Sequence, residues 1–244
     1  MDTPGVHRLG GELANFYVIE DSDGITLVDA GLPNDYERLE TLLGRRVRDI
    51  RAVVLTHGHP DHLGLAERLR EQTGAAVWIH EADAPMLASP RKANKIAKPE
   101  RSMLPYLVRH PAMLGVPLKL ARSGAFTTPA VRTVNTFHPG TTLDVPGRPQ
   151  VIPAPGHSPG SVAFLFADHG MICTGDALVT YDAITGERGP RIVCGAFTHD
   201  SATALRSLAT LAEIDVPVVL PGHGEPFTGG VNAAAHQASQ AGAS

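Results

Sequence analysis

The segment Thr-His-Gly-His-Pro-Asp-His at residues 56–62 constrains this chain more than any other feature of its sequence. Residues 51–55, directly before it, are largely apolar and predict a buried strand, and the apolar spacing over residues 63–73 predicts a helix. The segment therefore lies on a loop between a strand and a helix. Imidazole and carboxylate groups are ligands for zinc, iron and manganese. The loop predicts a metal site, and a metal-dependent hydrolase is the first hypothesis.

A solvated polar loop is the competing interpretation of this segment. The helix dipole alone would favour a carboxylate such as Asp61 near a helix N-terminus. It gives no reason for three histidines, because a neutral imidazole gains nothing from the dipole. Gly58 permits a tight backbone, and Pro60 suits a helix entrance because its φ is fixed. The composition of the loop therefore favours metal binding.

Three more candidate ligands each follow an apolar run and a glycine. They are His157 after Gly156, Asp176 after Gly175 and His223 after Gly222. Glycine lets the chain turn sharply, so that a side chain at a strand end can face a cleft. Taken singly, each signal is weak, because motifs of this size are common and a lone histidine after a strand is more often a structural residue than a ligand. Their order and shared context strengthen the metal hypothesis.

The motifs together resemble the metallo-β-lactamase fold superfamily, in its dinuclear hydrolase branch (glyoxalase II-like or lactonase-like). The matching elements are VDAG with Asp29, THGHPDH, APGHSPGS with His157, CTGDAL with Asp176, and PGHG with His223. They extend over nearly the whole chain. The resemblance implies an α/β fold, a four-layer αββα sandwich of two mixed β-sheets flanked by helices.

The resemblance also implies a role for each matching residue. One metal ion would be held by His57, His59 and His157. The second would be held by Asp61, His62 and His223. Asp176 would bridge the two ions, and Asp29 would orient the ligand loop, although a turn-forming carboxylate explains Asp29 equally well in physical terms. The expected cofactors are two divalent metal ions, zinc by default, with iron and manganese as alternatives.

The activity implied by this site is cleavage of a carboxylic ester-type bond, which is a thioester, a lactone or an ester. A hydroxide that bridges the metals would attack, with Asp61 and Asp176 as the catalytic carboxylates. Two alternatives stay open: a phosphodiesterase that uses the same dinuclear site, and an oxidoreductase similar to the mononuclear iron persulfide dioxygenases. Only a short stretch follows His223, which disfavours the helical extension by which glyoxalase II enzymes bind glutathione.

Residues 1–244 are expected to form a single metallo-hydrolase domain, because neither a Ser/Gly-rich linker nor a charge block divides the sequence. A helical insert or flap is predicted at about residues 81–142, and its helix at residues 103–120 is a candidate wall of the substrate pocket. Tyr106 and Met113 are candidate substrate-binding residues there, with ordinary core packing as the alternative. Tyr181, which follows Asp176, is a further candidate for substrate binding.

The remaining elements follow from periodicity and turn residues. Strands are predicted at residues 13–20, 25–29, 75–79, 161–166 and 170–174, and helices at residues 34–43, 200–214 and 230–239. The formal net charge of −4 disfavours a nucleic-acid partner and indicates a small-molecule substrate. No apolar stretch is long enough for a membrane helix, and with only Cys173 and Cys194 a reducing cytoplasm is expected.

Overall fold

Two β-sheets form the centre of the protein, whose computed structural model describes residues 3–11, 13–110 and 115–244. The strands of the first sheet, in spatial order, are β1 (Val6–Gly10), β2 (Asn15–Asp21), β3 (Gly24–Val28), β4 (Ile50–Val54), β5 (Ala76–His80) and β6 (Asn135–Phe137). The second sheet places β12 (Val218–Pro221) beside β9 (Met171–Gly175), β8 (Val162–Phe166) and β7 (Gln150–Pro153). A separate ribbon pairs β10 (Val179–Tyr181) with β11 (Arg188–Arg191).

The α-helices either cover the outer faces of the two sheets or belong to the segment that connects β5 to β6 in the sequence. They are α1 (Tyr36–Leu43), α2 (Ala66–Thr73), α3 (Ala84–Ala88), α4 (Ala93–Ile96), α5 (Leu104–Arg109), α6 (Val116–Arg122), α7 (Ser201–Ala212) and α8 (Val231–Ala241). Within the described ranges, every helix is too short or too polar to cross a lipid bilayer.

Alternation along each strand creates the layers. In β2, Phe16 and Val18 pack with helix residues such as Leu39 and Leu69, whereas Tyr17 and Ile19 point the other way, into a core shared with the second sheet. This two-residue period is the ordinary consequence of the β pleat. One face of the first sheet is thus covered by α1 and α2, and the other by the second sheet.

The outer face of the second sheet is covered in the same way. Ile152 and Ile172 pack against Leu208 of α7 and Ala235 of α8. The layers therefore follow the order helix, sheet, sheet, helix. Both sheets are mixed, because β3 to β6 run parallel while β1, β2 and β3 are antiparallel, and β9 runs parallel to β12 but antiparallel to β8. The predicted four-layer αββα sandwich is confirmed.

Strand direction determines where the functional loops lie. The strands β3, β4 and β5 are parallel, so their carboxyl ends lie at one edge of the first sheet. In the second sheet β7, β9 and β12 share one direction. The backbone N–H of Val162 donates a hydrogen bond of 3.0 Å to the carbonyl oxygen of Thr56, which joins the two edges. Loops from both sheets therefore meet at one end of the sandwich.

Two sequence predictions differ from the structure. The helix predicted from residue 63 begins only at Ala66. The N–H groups of Gly64 and Leu65, before the helix, donate to the carbonyl oxygens of Gly31 and Ala30 and so attach this segment to the loop after β3. Residues 135–137, predicted to belong to the insert, form β6 and complete the first sheet. The assignment of the whole chain to one domain stays a prediction.

Candidate metal centre

All seven predicted metal ligands follow strands whose carboxyl ends lie at the shared edge. They are His57, His59, Asp61 and His62 after β4, His157 after β7, Asp176 after β9 and His223 after β12. Their side chains form three overlapping groups, in each of which the ligand atoms lie within 4.8 Å of one another. The structure thus brings together residues that are up to 166 positions apart in the sequence, from His57 to His223.

The first group consists of His57, His59 and His157, and all three side chains are buried. Nδ1 of His59 lies 2.8 Å from Nε2 of His157. Nδ1 of His57 lies 3.1 Å from the hydroxyl oxygen of Thr56, which leaves its Nε2 directed toward the group. Three imidazole nitrogens therefore converge on one point.

The second group consists of Asp61, His62 and His223. Nε2 of His62 lies 3.7 Å from Oδ2 of Asp61 and 3.4 Å from Nε2 of His223. Nε2 of His223 lies 3.7 Å from the same carboxylate oxygen. This group is less buried than the first, since Asp61 and His223 are partly exposed.

The third group consists of His57, His62 and Asp176, and it places Asp176 between the other two groups. Oδ2 of Asp176 is 3.4 Å from Nε2 of His157 in the first group and 3.1 Å from Nε2 of His223 in the second. Its Oδ1 is 3.5 Å from Nε2 of His62. One carboxylate can thus contact ions bound by either group.

The preceding glycines meet two different requirements. Gly175 has a φ of 49° and Gly156 a φ of 133°, which glycine adopts far more readily than other residues. Gly222 is required for another reason, because a Cβ atom there would lie 2.1 Å from Oδ1 of Asp176. The turn explanation from the sequence therefore holds for Gly156 and Gly175, whereas Gly222 allows a close approach.

The donor set fits divalent metal ions. Buried polar atoms normally have hydrogen-bond partners, yet Nε2 of His57 and Oδ1 of Asp176 have none among the described residues. Two ligands at zinc-like bond lengths in a tetrahedron are about 3.3–3.6 Å apart. Several of the separations between ligand atoms, from 3.1 to 3.7 Å, lie near this value.

Electrostatics separate the histidines into two kinds. Burial lowers the pKa of His57 and His59 below the ordinary range and that of His157 to about 3, so these imidazoles are neutral. Burial also opposes a charge on His62, but Asp176, Asp61 and Asp29 outweigh it and raise the pKa of His62 to about 10. Against the effect of burial, the histidines around Asp176 hold the pKa of its carboxyl group well below the ordinary value. The carboxylates thus attract positive charge to the second group.

Asp29 supports the ligand loop. Its buried carboxylate accepts hydrogen bonds from the backbone N–H of Thr56 at 2.8 Å and from the Thr56 hydroxyl at 2.9 Å. Oδ2 of Asp29 also lies 2.9 Å from Nδ1 of His62, so that Nε2 of this imidazole faces the other ligands. A carboxylate behind a histidine ligand typically fixes its tautomer and direction. The φ of Asp29 is 59°, a conformation uncommon outside glycine.

Asp83 also supports the loops that carry the candidate ligands, and this role was not predicted from the sequence. Its fully buried side chain accepts hydrogen bonds from the backbone N–H groups of Gly58 at 3.0 Å and Gly160 at 2.8 Å, and from the Ser158 hydroxyl at 2.5 Å. It therefore joins the loop after β4 to the loop that carries His157. Its position, shortly after β5, could have signalled this role, because β5 ends at the same edge.

A cavity of about 640 Å³ opens onto these ligands. Besides His59, Asp61, His157, Asp176 and His223, its walls include Pro90, Ala93, Val116, Leu120, Phe126, Ile184, Val193 and Phe197. The insert contributes five of these apolar residues, from Pro90 to Phe126. The insert therefore covers part of the cavity, and Arg91 adds a positive charge to its wall.

The predicted substrate-binding residues have different positions. Tyr181 lines the cavity. Tyr106 instead packs with Ile184 and Cys194, and its hydroxyl donates a 2.6 Å hydrogen bond to the carbonyl oxygen of Ser244, so it is not among the described residues that line the cavity. A buried tyrosine commonly finds such a partner for its hydroxyl group. Met113 lies outside the described residues.

Comparison with known proteins identifies the family. The family model of the metallo-β-lactamase superfamily matches residues 9–223, and the chain therefore belongs to this superfamily. The probable metallo-hydrolase YflN of Bacillus subtilis is 25% identical over 252 residues, covering 92% of this chain and 86% of the relative. The uncharacterized protein Rv2581c of Mycobacterium tuberculosis is 28% identical over 226 residues, covering 88% of this chain and 87% of the relative.

Solved structures agree with this assignment. The metallo-β-lactamase family protein TTHA1429 from Thermus thermophilus is 25% identical, with a TM-score of 0.68, and the match covers 98% of this chain and 79% of that protein. TTHA1623, solved in a di-iron-bound form, is 28% identical with a TM-score of 0.63, covering 93% of this chain and 96% of that protein. The family resemblance predicted from the motifs is confirmed.

Proposed function

We propose that the protein is a dinuclear metal-dependent hydrolase of a small-molecule carboxylic ester, thioester or lactone. The observation that carries this proposal is the position of Asp176 between two ligand groups that open into one largely apolar cavity. His57, His59 and His157 would hold one ion, and Asp61, His62 and His223 the other, with Asp176 shared. Membership of the superfamily and the name of YflN support metal-dependent hydrolysis.

Two divalent ions held by these groups would supply Lewis acidity and would lower the pKa of a bound water toward neutrality. The protein provides the geometry for that chemistry. Neutral His57, His59 and His157 present nitrogen lone pairs from a buried wall. Asp61 is the least buried carboxylate of the ligand set, with a side chain about 25% exposed, and it lines the cavity. It is therefore placed to receive a proton and pass it to the leaving group.

The apolar wall supports an acyl compound as the substrate. Val116, Leu120 and Phe126 come from the insert, and Val193 and Phe197 from the region between β11 and α7. Such a wall suits a hydrocarbon group next to the reacting carbonyl, because removing apolar surface from water is favourable. A phosphodiester group carries a negative charge, so its binding next to these apolar residues is less favourable than that of an uncharged acyl group.

Zinc is our proposal for the metal, since tetrahedral imidazole and carboxylate sites are typical of it. The di-iron-bound form of TTHA1623 supports iron as the alternative. We also propose a cytoplasmic location, supported by Cys173 and Cys194, which are both buried and unbonded to each other.

Metal analysis and a substrate screen test the proposal. The purified protein should contain close to two metal ions per chain, and Asp176→Ala and His223→Ala should lose metal and turnover while keeping the fold. His236→Ala, an exposed histidine on α8, is the matched control and should behave as the unaltered protein. The screen compares thioesters, lactones, aryl esters and phosphodiesters. Turnover of a phosphodiester alone, or full activity in Asp176→Ala, would refute the proposed function.

A further inference from the structure

A second cavity adjoins the one that opens onto the metal ligands. Its volume is about 500 Å³, within the range of small-molecule sites. Leu13, Val116, Tyr181 and Ala183 line both cavities. A molecule bound next to the ligands can therefore extend across these shared residues into the second space.

The second cavity differs from the first in charge. Its walls carry the basic residues Arg8, Lys119 and Arg188 and one acidic residue, Glu225. The first cavity contains Asp61, Asp176 and Asp182 against Arg91. In a chain of net charge −4, the second cavity is thus a local positive region beside a metal centre. Such a concave region attracts anions and raises their local concentration.

Arg188 is the basic residue best placed to contact a ligand. The guanidinium carbon lies 5.1 Å from the centre of the Tyr181 ring, because β11 pairs Arg188 directly opposite Tyr181. The nearby carboxylates bind other arginines: Glu225 pairs with Arg8 at 2.8 Å, and Glu187 pairs with Arg191. In the part of the chain that the structure describes, Arg188 forms no ion pair. Its charge is therefore available at the boundary of the two cavities.

We propose that the second cavity binds the anionic end of the substrate, with Arg188 as the residue that selects for it. This inference rests on the proposed function, since it places the scissile carbonyl next to the metal ligands and a carboxylate or similar anion beside Arg188. The substrate class is then an acyl compound with an apolar middle and an anionic terminus. Tyr181 stacks under the guanidinium group and holds it at the passage between the two spaces.

Binding to the metal-loaded protein tests this inference without turnover. Calorimetry compares butyrate with glutarate, adipate and suberate. All four compounds offer one carboxylate to the metal ions, and the last three carry a second carboxylate at an increasing distance from the first. We expect one of the dicarboxylates to bind more tightly than butyrate. Arg188→Ala should reduce this advantage about tenfold, the scale of one hydrogen bond to a charged group. Arg188→Lys should keep part of it, because the charge remains but the planar fork is lost.

Two control variants sharpen the result. Arg148→Ala removes an exposed arginine that pairs with Asp144 and lines neither cavity, and it should leave every affinity unchanged. Arg91→Ala removes the basic residue of the first cavity. Equal binding of butyrate and all dicarboxylates would overturn the inference. An advantage that survives Arg188→Ala would also overturn it, whether or not Arg91→Ala abolishes that advantage.

A kinetic comparison separates the inference from the proposed function. Phenyl butyrate and the phenyl monoesters of the same diacids are assayed with each variant. For Arg188→Ala, kcat/KM should fall only for the anionic esters and mainly through KM, and added salt should weaken the same preference. Hydrolysis of phenyl butyrate reports the proposed function by itself. If no ester, thioester or lactone reacts but the binding of the dicarboxylates still depends on Arg188, the proposed function fails and the anion site stands.

Discussion

Removal of the Asp83 carboxylate should loosen both ligand loops that it joins. In Asp83→Ala the backbone N–H groups of Gly58 and Gly160 lose their acceptor while they remain buried. The Ser158 hydroxyl keeps a neighbour, since it lies 2.7 Å from the Ser161 hydroxyl. Each unsatisfied buried group costs about 1–3 kcal/mol. The two N–H groups together predict a loss of about 2–6 kcal/mol, a large share of a typical unfolding free energy of about 5–15 kcal/mol.

Asp83→Asn should have a smaller effect. Its amide oxygen can still accept from Gly160, and its NH₂ group can donate to Ser158, so that only the N–H of Gly58 loses its acceptor. The expected loss is about 1–3 kcal/mol. Asp168→Ala, an exposed aspartate in the turn between β8 and β9, is the control and should change stability by less than about 0.5 kcal/mol.

Urea unfolding of the metal-free proteins gives these differences without the contribution of bound ions. Competition with a chromogenic chelator then gives the metal affinity. We expect this affinity to fall about 10-fold to 100-fold in Asp83→Ala, because the two loops that Asp83 joins carry candidate ligands from both sheets. The reasoning would be refuted if Asp83→Ala unfolded at the same urea concentration as the unaltered protein, or if the asparagine variant were the less stable of the two.

Two further predictions concern packing and the thiols. Gly64→Ala should destabilise the protein by about 1–3 kcal/mol, because the new Cβ would lie 2.4 Å from the Leu32 backbone. Gly115→Ala is the control, since a Cβ atom at that position would meet no atom within 4 Å. Equal midpoints of thermal unfolding for the two variants would contradict this prediction. Burial raises the pKa of the Cys194 thiol to about 12, so less thiolate is present at pH 8 in the folded than in the unfolded protein. Alkylation of Cys194, followed by mass spectrometry, should therefore be roughly a thousandfold slower without denaturant than with it; a native rate near that of a free thiol would show that this site is not closed.

The seven candidate ligands, which the structure brings together, could be predicted because each lies in a loop after a strand. A polar residue after an apolar run and a glycine is a local signal, and it was found at His157, Asp176 and His223. The start of α2 was predicted three residues too early, in a segment that Gly64 and Leu65 attach to the loop after β3 through their N–H groups. Periodicity along the chain carries no information about such a contact.

The support and the walls of the site depend on contacts over long sequence separations. Asp83 binds N–H groups 25 and 77 residues away. Its position shortly after β5 places it at the shared edge, but the sequence does not indicate which groups it binds there. The insert was expected to line the pocket through the helix at residues 103–120. In the described structure Val116 and Leu120 line it, but Tyr106 turns toward Ser244 and Phe126 lies beyond the expected helix. The order of short helices in space cannot be read from their apolar spacing.

Each of the three ligand groups takes residues from both sheets. His57 and His59 follow a strand of the first sheet, and the group they form is completed by His157 from the second. The other two groups cross the sandwich in the same way, through Asp176 and His223. A fragment ending before β7 therefore contains no complete group, and neither does one beginning there. An ion bound by any of these groups would crosslink the two halves of the chain, and its site is complete only after the two sheets have packed together.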